Sequence, residues 1–172
     1  MKQKGFTLIE LLVTMGIIAV LTGMAVFNFN QSRMRARDVQ RKSDLSQLVK
    51  ALEMYKNDNG VYPLTTSSSS YGFSPDDKNI FQADLLSNNY IKTTFNDPKG
   101  SEWQNYKYVT ASETDTKTYY LMACLENTAD STRAIVAQCT HFYNGRGAPD
   151  QCQCGGTDIA NYSGVMYVVS NP

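Results

Sequence analysis

The pattern of apolar and polar positions divides the chain into an apolar start, an amphipathic stretch and a mixed remainder. A predominantly apolar run, Phe6–Phe27, contains a single acid, Glu10. Within Leu45–Leu52, apolar residues recur at the i, i+3, i+4, i+7 spacing of a one-sided helix. The sequence Asn57-Asp58-Asn59-Gly60 then provides a stop, because glycine suits the left-handed position that ends many helices. We predict one helix from about Phe6 to Asn57.

This helix has two parts with different surroundings. Residues 6–27 are apolar on all sides and suit lipid or a packed bundle, whereas residues 28–59 have one apolar face that suits packing on a domain. We expect the charged residues of the second part to lie on its other faces, namely Asp38, Arg41, Lys42, Asp44, Lys50 and Glu53.

Residues 60–172 are predicted to form an α+β head. Ala83–Leu86 suggests a short helix, and Asn96–Gly100 has the composition of a turn. Runs rich in aromatic and β-branched residues predict four strands, Tyr106–Thr110, Thr118–Leu125, Ala134–Cys139 and Val165–Val169, with a hairpin tip at Glu113–Thr116. A small antiparallel sheet with one face on the amphipathic helix is the simplest arrangement of these elements.

The apolar run is long enough to cross a membrane. About 20 residues span the ~30 Å hydrocarbon core of a bilayer as a helix. A carboxylate at that depth costs about 2.5–3.5 kcal/mol, so Glu10 requires a partner. A simple anchor helix is one alternative. A secretory signal peptide cut near Gly23-Met24-Ala25 is another, although the run is longer than usual for such peptides.

The segment Lys4-Gly5-Phe6-Thr7-Leu8-Ile9-Glu10 closely resembles the leader junction of type IV pilins and type II secretion pseudopilins. The resemblance implies the pilin fold, with residues 1–5 as a leader that a prepilin peptidase removes between Gly5 and Phe6. It further implies N-methylation of Phe6 and an assembly contact between Glu10 and the Phe6 amine of a neighbouring subunit. Such a contact can set the register between subunits.

Residues of the middle part extend this resemblance toward the major pseudopilins and their close pilin relatives. They are Asn59-Gly60-Val61-Tyr62-Pro63, Asn89-Tyr90-Ile91, Asp97-Pro98 and Tyr106-Lys107-Tyr108. The resemblance implies a structural subunit of a type IV pilus-like filament, used in motility, adhesion or DNA uptake. A major pseudopilin of a type II secretion system is the first alternative, and a monomeric membrane-tethered binding module is an alternative of another class.

The same resemblance implies partners and location. The partners are further copies of the chain or related pilins, the prepilin peptidase, the pilus or secretion machinery and the membrane. The precursor would cross the inner membrane once with its head outside, and the assembled filament would be extracellular or span the envelope. The positive-inside rule opposes this orientation, because the run Arg33–Lys42 carries more basic residues than the leader does. We interpret that run as contacting lipid headgroups and later acidic faces of neighbours, and we do not expect nucleic acid as a partner.

Four cysteines occur in the last third of the chain: Cys124, Cys139, Cys152 and Cys154. In an exported domain they predict two disulfides. A bond between Cys152 and Cys154 would close a very small ring, so we favour Cys124 and Cys139 each bonding one of that pair. We predict no metal site, because no C-x-x-C motif occurs, and Asp158 is only a weak candidate for calcium.

Composition argues against an enzyme and against a strongly charged partner. The chain has 172 residues, 42% of them hydrophobic, with 16 basic and 16 acidic side chains and one histidine. It contains no P-loop, dinucleotide fingerprint, H-E-x-x-H or G-x-S-x-G motif. We therefore expect neither catalysis nor a cofactor.

Overall fold

The computed structural model describes residues 5–63, 80–100, 103, 105–110, 117–135, 139, 142, 154 and 164–171, apart from the side chains of 25–28 and 80. The elements are α1 (Leu8–Asn59), α2 (Ile80–Ser87), β1 (Lys107–Thr110), β2 (Tyr119–Leu125) and β3 (Val165–Ser170). The chain divides into two compact units, Met1–Ala36 and Arg37–Pro172. The predicted α+β architecture, with a long N-terminal helix and a small antiparallel sheet, is confirmed.

Both helices end where the backbone takes a left-handed conformation. Gly60 follows α1 with φ +77°, and its N–H donates to the Lys56 carbonyl at 2.7 Å, so the predicted stop is confirmed. Asn89 follows α2 with φ +61°. There the N–H of Tyr90 donates to the Leu85 carbonyl at 2.8 Å, the hydrogen bond that defines the Schellman ending of a helix.

Within the described residues the sheet has three strands in the order β1-β2-β3, and both neighbouring pairs are antiparallel. Tyr108 of β1 lies opposite Leu121 of β2, and Cys124 of β2 lies opposite Met166 of β3. The seven-residue central strand β2 therefore has a partner on each side, and β1 and β3 are the edges.

Alternating residues of β2 contribute to two separate hydrophobic clusters. Leu121 and Ala123 belong to the first cluster, which includes apolar residues of α1 and α2, among them Leu45, Leu48, Leu52, Phe81 and Leu85. Met122 and Cys124 belong to the second, which also contains Trp103, Cys139, Phe142, Cys154 and Met166. Because successive side chains of a strand point to opposite faces, the sheet is covered on both faces rather than on the helix face alone.

The predicted strand Ala134–Cys139 is wrong in the part that the structure describes. Ala134 makes one strand-like contact, its N–H donating to the Met166 carbonyl of β3 at 2.7 Å, but the contact does not continue into a strand. The N–H of Cys139 instead donates to the Ile135 carbonyl at 3.2 Å, a four-residue spacing that is typical of helical hydrogen bonds and not of strands. The other three predicted strands are present with ends shifted by one residue, and the predicted hairpin tip Glu113–Thr116 lies outside the described residues.

Gly164, immediately before β3, allows Trp103 to pack against the sheet. A Cβ atom added to Gly164 would collide with the Leu125 carbonyl oxygen and would lie 2.9 Å from the Trp103 ring. The indole N–H of Trp103 donates to the Cys124 carbonyl at 2.8 Å. Only glycine therefore fits at this position with the tryptophan in place.

We predict that Gly164→Ala lowers the free energy of unfolding of the head by about 1–3 kcal/mol, because the added methyl group overpacks the Trp103 contact. Urea unfolding of the full chain in detergent micelles, followed by the fluorescence of its single tryptophan, measures this change. The exposed Ser46→Ala is the control and should change the value by less than about 0.5 kcal/mol. Equal stability of Gly164→Ala and the natural chain would contradict the packing argument.

Candidate functional site

Thr7 and Glu10 form reciprocal hydrogen bonds at the start of α1. The backbone N–H and the hydroxyl of Thr7 donate to one carboxylate oxygen of Glu10 at 3.0 and 2.8 Å. The N–H of Glu10 donates in turn to the Thr7 hydroxyl oxygen at 3.3 Å. This is a capping box, which satisfies backbone donors that the first turn of a helix leaves open. Sequence reasoning missed it, although the Thr-x-x-Glu spacing is its signal.

The capping box gives Glu10 a polar partner within its own chain. A carboxylate in an apolar environment requires hydrogen bonds, and Thr7 supplies them. Gly5 and Phe6 come directly before this box, and Phe6 is 87% exposed. The structure thus brings Gly5, Phe6 and Glu10 together in one short segment. Their roles in cleavage, methylation and assembly remain predictions.

The helix that follows has an apolar surface without partners within its own unit. Between Leu8 and Met24, its large apolar side chains are 52–81% exposed. By length and composition α1 is the one helix among the described residues that could cross a membrane, and none of its most apolar stretch is buried. An apolar helix of this kind with a prepilin leader fits a membrane-anchored precursor.

A charge cluster lies where the start of the second unit's helical segment meets the sheet. The cluster consists of six residues: Arg37, Asp38, Arg41, Asp97, Lys99 and Glu126. Helix α1 supplies the first three, the turn after α2 supplies Asp97 and Lys99, and the residue after β2 supplies Glu126. Three positive charges therefore balance three negative ones.

Arg41 is the centre of the charge cluster and is 0% exposed. Its guanidinium group binds Asp97 through two hydrogen bonds of 2.6 and 2.9 Å, and it donates to Asp38 at 2.7 Å and to Glu126 at 2.8 Å. Burial alone would lower the pKa of Arg41, but the hydrogen bonds that it donates to these carboxylates outweigh burial and raise the pKa. Arg41 therefore stays charged while it is enclosed by acids from α1, from the turn after α2 and from the end of β2.

Glu126 and Asp38 connect the end of β2 to α1. Glu126 accepts two hydrogen bonds from Arg37 at 2.6 and 2.7 Å and lies 3.1 Å from the Lys99 ammonium. The two carboxylate oxygens of Asp38 accept hydrogen bonds from the backbone N–H groups of Glu126 and Asn127, both at 2.9 Å. Side chains of α1 thus hold both the side chain of Glu126 and the backbone that follows β2.

Trp103 packs against the charge cluster and joins it to the disulfide region. The Arg41 guanidinium lies 5.4 Å from the centre of the indole ring, and the Lys99 ammonium lies 4.4 Å from it. These distances are typical of cation–π contacts. Since the indole N–H binds the carbonyl of Cys124, the same side chain contacts the charge cluster and the disulfide-bonded end of β2.

The basic run Arg33–Lys42 is not a uniform basic surface, which corrects the sequence interpretation. Asp38, Arg41 and Asp44 are buried rather than outward-facing. The reason is their spacing: residues 38, 41 and 44/45 continue the buried stripe of residues 48 and 52 toward the N-terminus. Lys42 is also paired, with Asp130 at 2.7 Å, and Asp44 accepts a hydrogen bond of 2.6 Å from the Tyr106 hydroxyl. This periodicity is the signal by which the buried charges could have been found.

One disulfide of the predicted kind, between Cys124 and Cys154, is present in the structure. Cys124 and Cys154 are bonded, with 5.9 Å between their Cα atoms, and both are fully buried. Cys139 is also disulfide-bonded. Cys152 and the weak calcium candidate Asp158 lie outside the described residues. Within the described ranges, no group of three or more acids, cysteines or histidines is placed to hold a metal ion.

We predict that Arg41→Gln lowers the free energy of unfolding of the head by about 3–5 kcal/mol, because three carboxylates then lose their enclosed cation. Arg35→Gln is the matched control: Arg35 is exposed and no ion pair of it is present among the described residues, so its loss should change stability little. Tryptophan-monitored urea unfolding of the full chain in micelles compares them. Similar destabilisation by both variants would contradict the claim that the buried ion pairs of Arg41 stabilise the head.

We further predict that the head loses stability as the pH falls from about 4.5 toward 2. Burial tends to raise the pKa of Glu126, but hydrogen bonds from Arg37, Arg41 and Lys99 outweigh it and hold the pKa at about 2. In this window the unfolded chain binds a proton that folded Glu126 does not, so acid favours unfolding by up to about 1.4 kcal/mol per pH unit from this group. Asp44 opposes the trend, because burial raises its pKa.

Glu126→Gln should reduce this pH slope in urea unfolding between about pH 4.5 and 2. Should that variant not fold, Asp130→Asn serves instead, because the pKa of Asp130 is also held at about 2 by Lys42 and Thr132 against its burial. Asp84→Asn on α2, outside both ion pairs, is the control and should keep the natural slope. An unchanged slope in Glu126→Gln and Asp130→Asn alike would refute the assignment.

Two family models match this chain. The prokaryotic N-terminal methylation motif matches residues 1–26, and protein G of the type II secretion system matches residues 28–133. None of the solved structures matches the chain significantly.

Similar proteins come from several bacteria. The type II secretion system core proteins G of Vibrio cholerae and Klebsiella pneumoniae are each 34% identical over 103 residues, which is 60% of this chain and 70% and 74% of theirs. The type IV wide pilus major component PilA4 of Thermus thermophilus is 46% identical over 59 residues, which is 34% of this chain and 45% of that protein. The predicted resemblance to pilins and pseudopilins is thereby confirmed. The chain belongs to the type II secretion system protein G family and carries the prokaryotic N-terminal methylation motif.

Proposed function

We propose that this chain is a structural subunit that polymerises through its N-terminal helix into an envelope-spanning or extracellular filament. The observation that carries the proposal is the apolar surface between Leu8 and Met24, which is exposed in the single chain. The second unit, Arg37–Pro172, by contrast contains two clusters of buried hydrophobic residues. An apolar helix without partners next to a self-sufficient head suits a subunit whose helix is buried first in lipid and then against other copies.

The N-terminal segment suits processing and docking. Cleavage between Gly5 and Phe6 would create an ammonium group on Phe6, four residues before Glu10 in the first turn of α1. In the proposed filament, Glu10 of one subunit pairs with the methylated Phe6 amine of its neighbour. The Thr7 hydrogen bonds hold the Glu10 carboxylate until that amine arrives, so the acid always has a polar partner. The role of the chain is then mechanical rather than catalytic, with no cofactor.

The orientation we propose places the head outside the inner membrane. The bases Arg37, Arg41 and Lys42 oppose this orientation during insertion. Once the head folds, each of these bases lies within 2.8 Å of a carboxylate oxygen of the head. Folding outside the membrane would therefore fix these charges there and oppose their return.

Two kinds of filament are supported. The protein G match over residues 28–133 favours a secretion pseudopilus. The similarity to the wide pilus component, together with the region after residue 133 that a disulfide ties back to β2, favours a type IV pilus. Deleting the chain in its source cell separates them: loss of exported enzymes from the medium indicates a pseudopilus, and loss of surface fibres with normal secretion indicates a pilus.

We predict that Glu10→Ala is processed and inserted normally but enters filaments roughly tenfold less, which corresponds to losing about 1.4 kcal/mol per contact. Electron microscopy and immunoblotting of sheared filaments measure incorporation, and the mass of the N-terminal peptide reports processing at Phe6. Thr7→Ala is the matched control, because it removes the two capping hydrogen bonds that the hydroxyl makes and keeps the carboxylate.

Normal filaments from processed Glu10→Ala would refute the docking role of Glu10. An N-terminal peptide that begins at Met1 would refute processing. If the chain forms no filaments in cells that contain the complete assembly system, the monomeric, membrane-tethered binding module would be favoured instead.

A further inference from the structure

Carboxylates of the head form ion pairs with three of the five basic residues that follow the apolar part of the helix. Arg37 binds Glu126, Arg41 binds Asp97, and Lys42 binds Asp130, all at 2.6–2.7 Å. Arg33 and Arg35 are the two left over, and both are exposed. Among the described residues, neither of them has an ion-pair partner. The basic run therefore presents two charges and not five.

Before Asp38, no acid lies near these two arginines along the chain. No acid occurs in the sequence between Glu10 and Asp38. The Arg33 guanidinium lies over the ring of Phe29, 4.4 Å from its centre, and Phe29 is itself exposed. Aromatic and basic side chains directly after an apolar span are typical of the membrane–water interface.

We propose that Arg33 and Arg35 bind the phosphate groups of anionic lipids where the apolar helix leaves the bilayer, while carboxylates of the head keep the other three bases away from lipid. The inference rests on the proposed membrane-anchored precursor. A guanidinium group suits phosphate because its planar set of donors can make two parallel hydrogen bonds to it. The contact would hold the precursor in anionic regions of the membrane and would have to break when the subunit is extracted.

The test uses the full chain in nanodiscs of phosphatidylcholine that contain a trace of spin-labelled lipid. Electron spin resonance compares the association of labelled phosphatidylglycerol with that of labelled phosphatidylcholine. We expect roughly fivefold preference for the anionic lipid per effective arginine at low salt. Raising the salt to about 1 M should weaken the preference, because screening then acts over about 3 Å.

Two sets of variants identify the residues. Arg33→Gln with Arg35→Gln should abolish most of the preference. The control Lys50→Gln with Lys92→Gln removes the same net charge from exposed positions of the second unit and should not. Glu126→Gln releases Arg37 from its carboxylate and should raise the preference. Equal loss in the control pair, or no rise in Glu126→Gln, would overturn the assignment.

The outcomes separate this inference from the proposed function. Failure of the chain to insert into nanodiscs would count against the membrane-anchored precursor itself. Insertion without lipid preference would overturn only the arginine contact. If the double arginine variant keeps its lipid preference but loses cross-linking between copies in liposomes, the two arginines bind a second copy of the chain and the lipid assignment is wrong.

Discussion

The enclosure of the Arg41 guanidinium is the constraint on which the arrangement of the head depends. A cation taken out of water costs several kcal/mol unless carboxylates surround it with good geometry. Here those carboxylates come from α1, from the turn after α2 and from the end of β2. None of these segments can move away without leaving a buried charge unpaired. The ionic contact thus fixes the direction in which the helical segment crosses the sheet, whereas apolar packing alone would tolerate small shifts.

The region beyond the family-matched residues is part of the same structure. The protein G match ends at residue 133, yet β3 completes the sheet and Cys154 bonds to Cys124 on β2. Trp103, which lies within the matched part, requires Gly164 from the region beyond it. The C-terminal region therefore covers the second face of the sheet. This mutual dependence explains how a head of moderate size has a core on both sides of a three-stranded sheet.

Sequence patterns predicted the elements well and the buried charges poorly. The apolar run, the Gly60 stop and three strands follow from local preferences, which the structure keeps. The predicted strand at Ala134–Cys139 failed in its described part, because composition does not reveal whether a segment finds a strand to pair with. Among the described residues of this segment, Ala134 alone bonds to β3. Asp38 and Arg41 were assigned to solvent by residue type, although their spacing matches the apolar stripe. Their partners Asp97 and Glu126 are more than 50 residues away in the chain, and no local pattern reveals such pairs.

The hydrogen bond from Ala134 to the Met166 carbonyl has a consequence for how copies can associate. In the part of the chain that the structure describes, β3 is an edge strand, and an open edge can pair with a strand of another chain. The Ala134 segment occupies an outward carbonyl of that edge, so a second sheet cannot add there in register without displacing it. Subunits crowded at high local concentration are thereby discouraged from joining through their sheets into amyloid-like aggregates. In the proposed filament, contacts between copies are then made by the N-terminal helices.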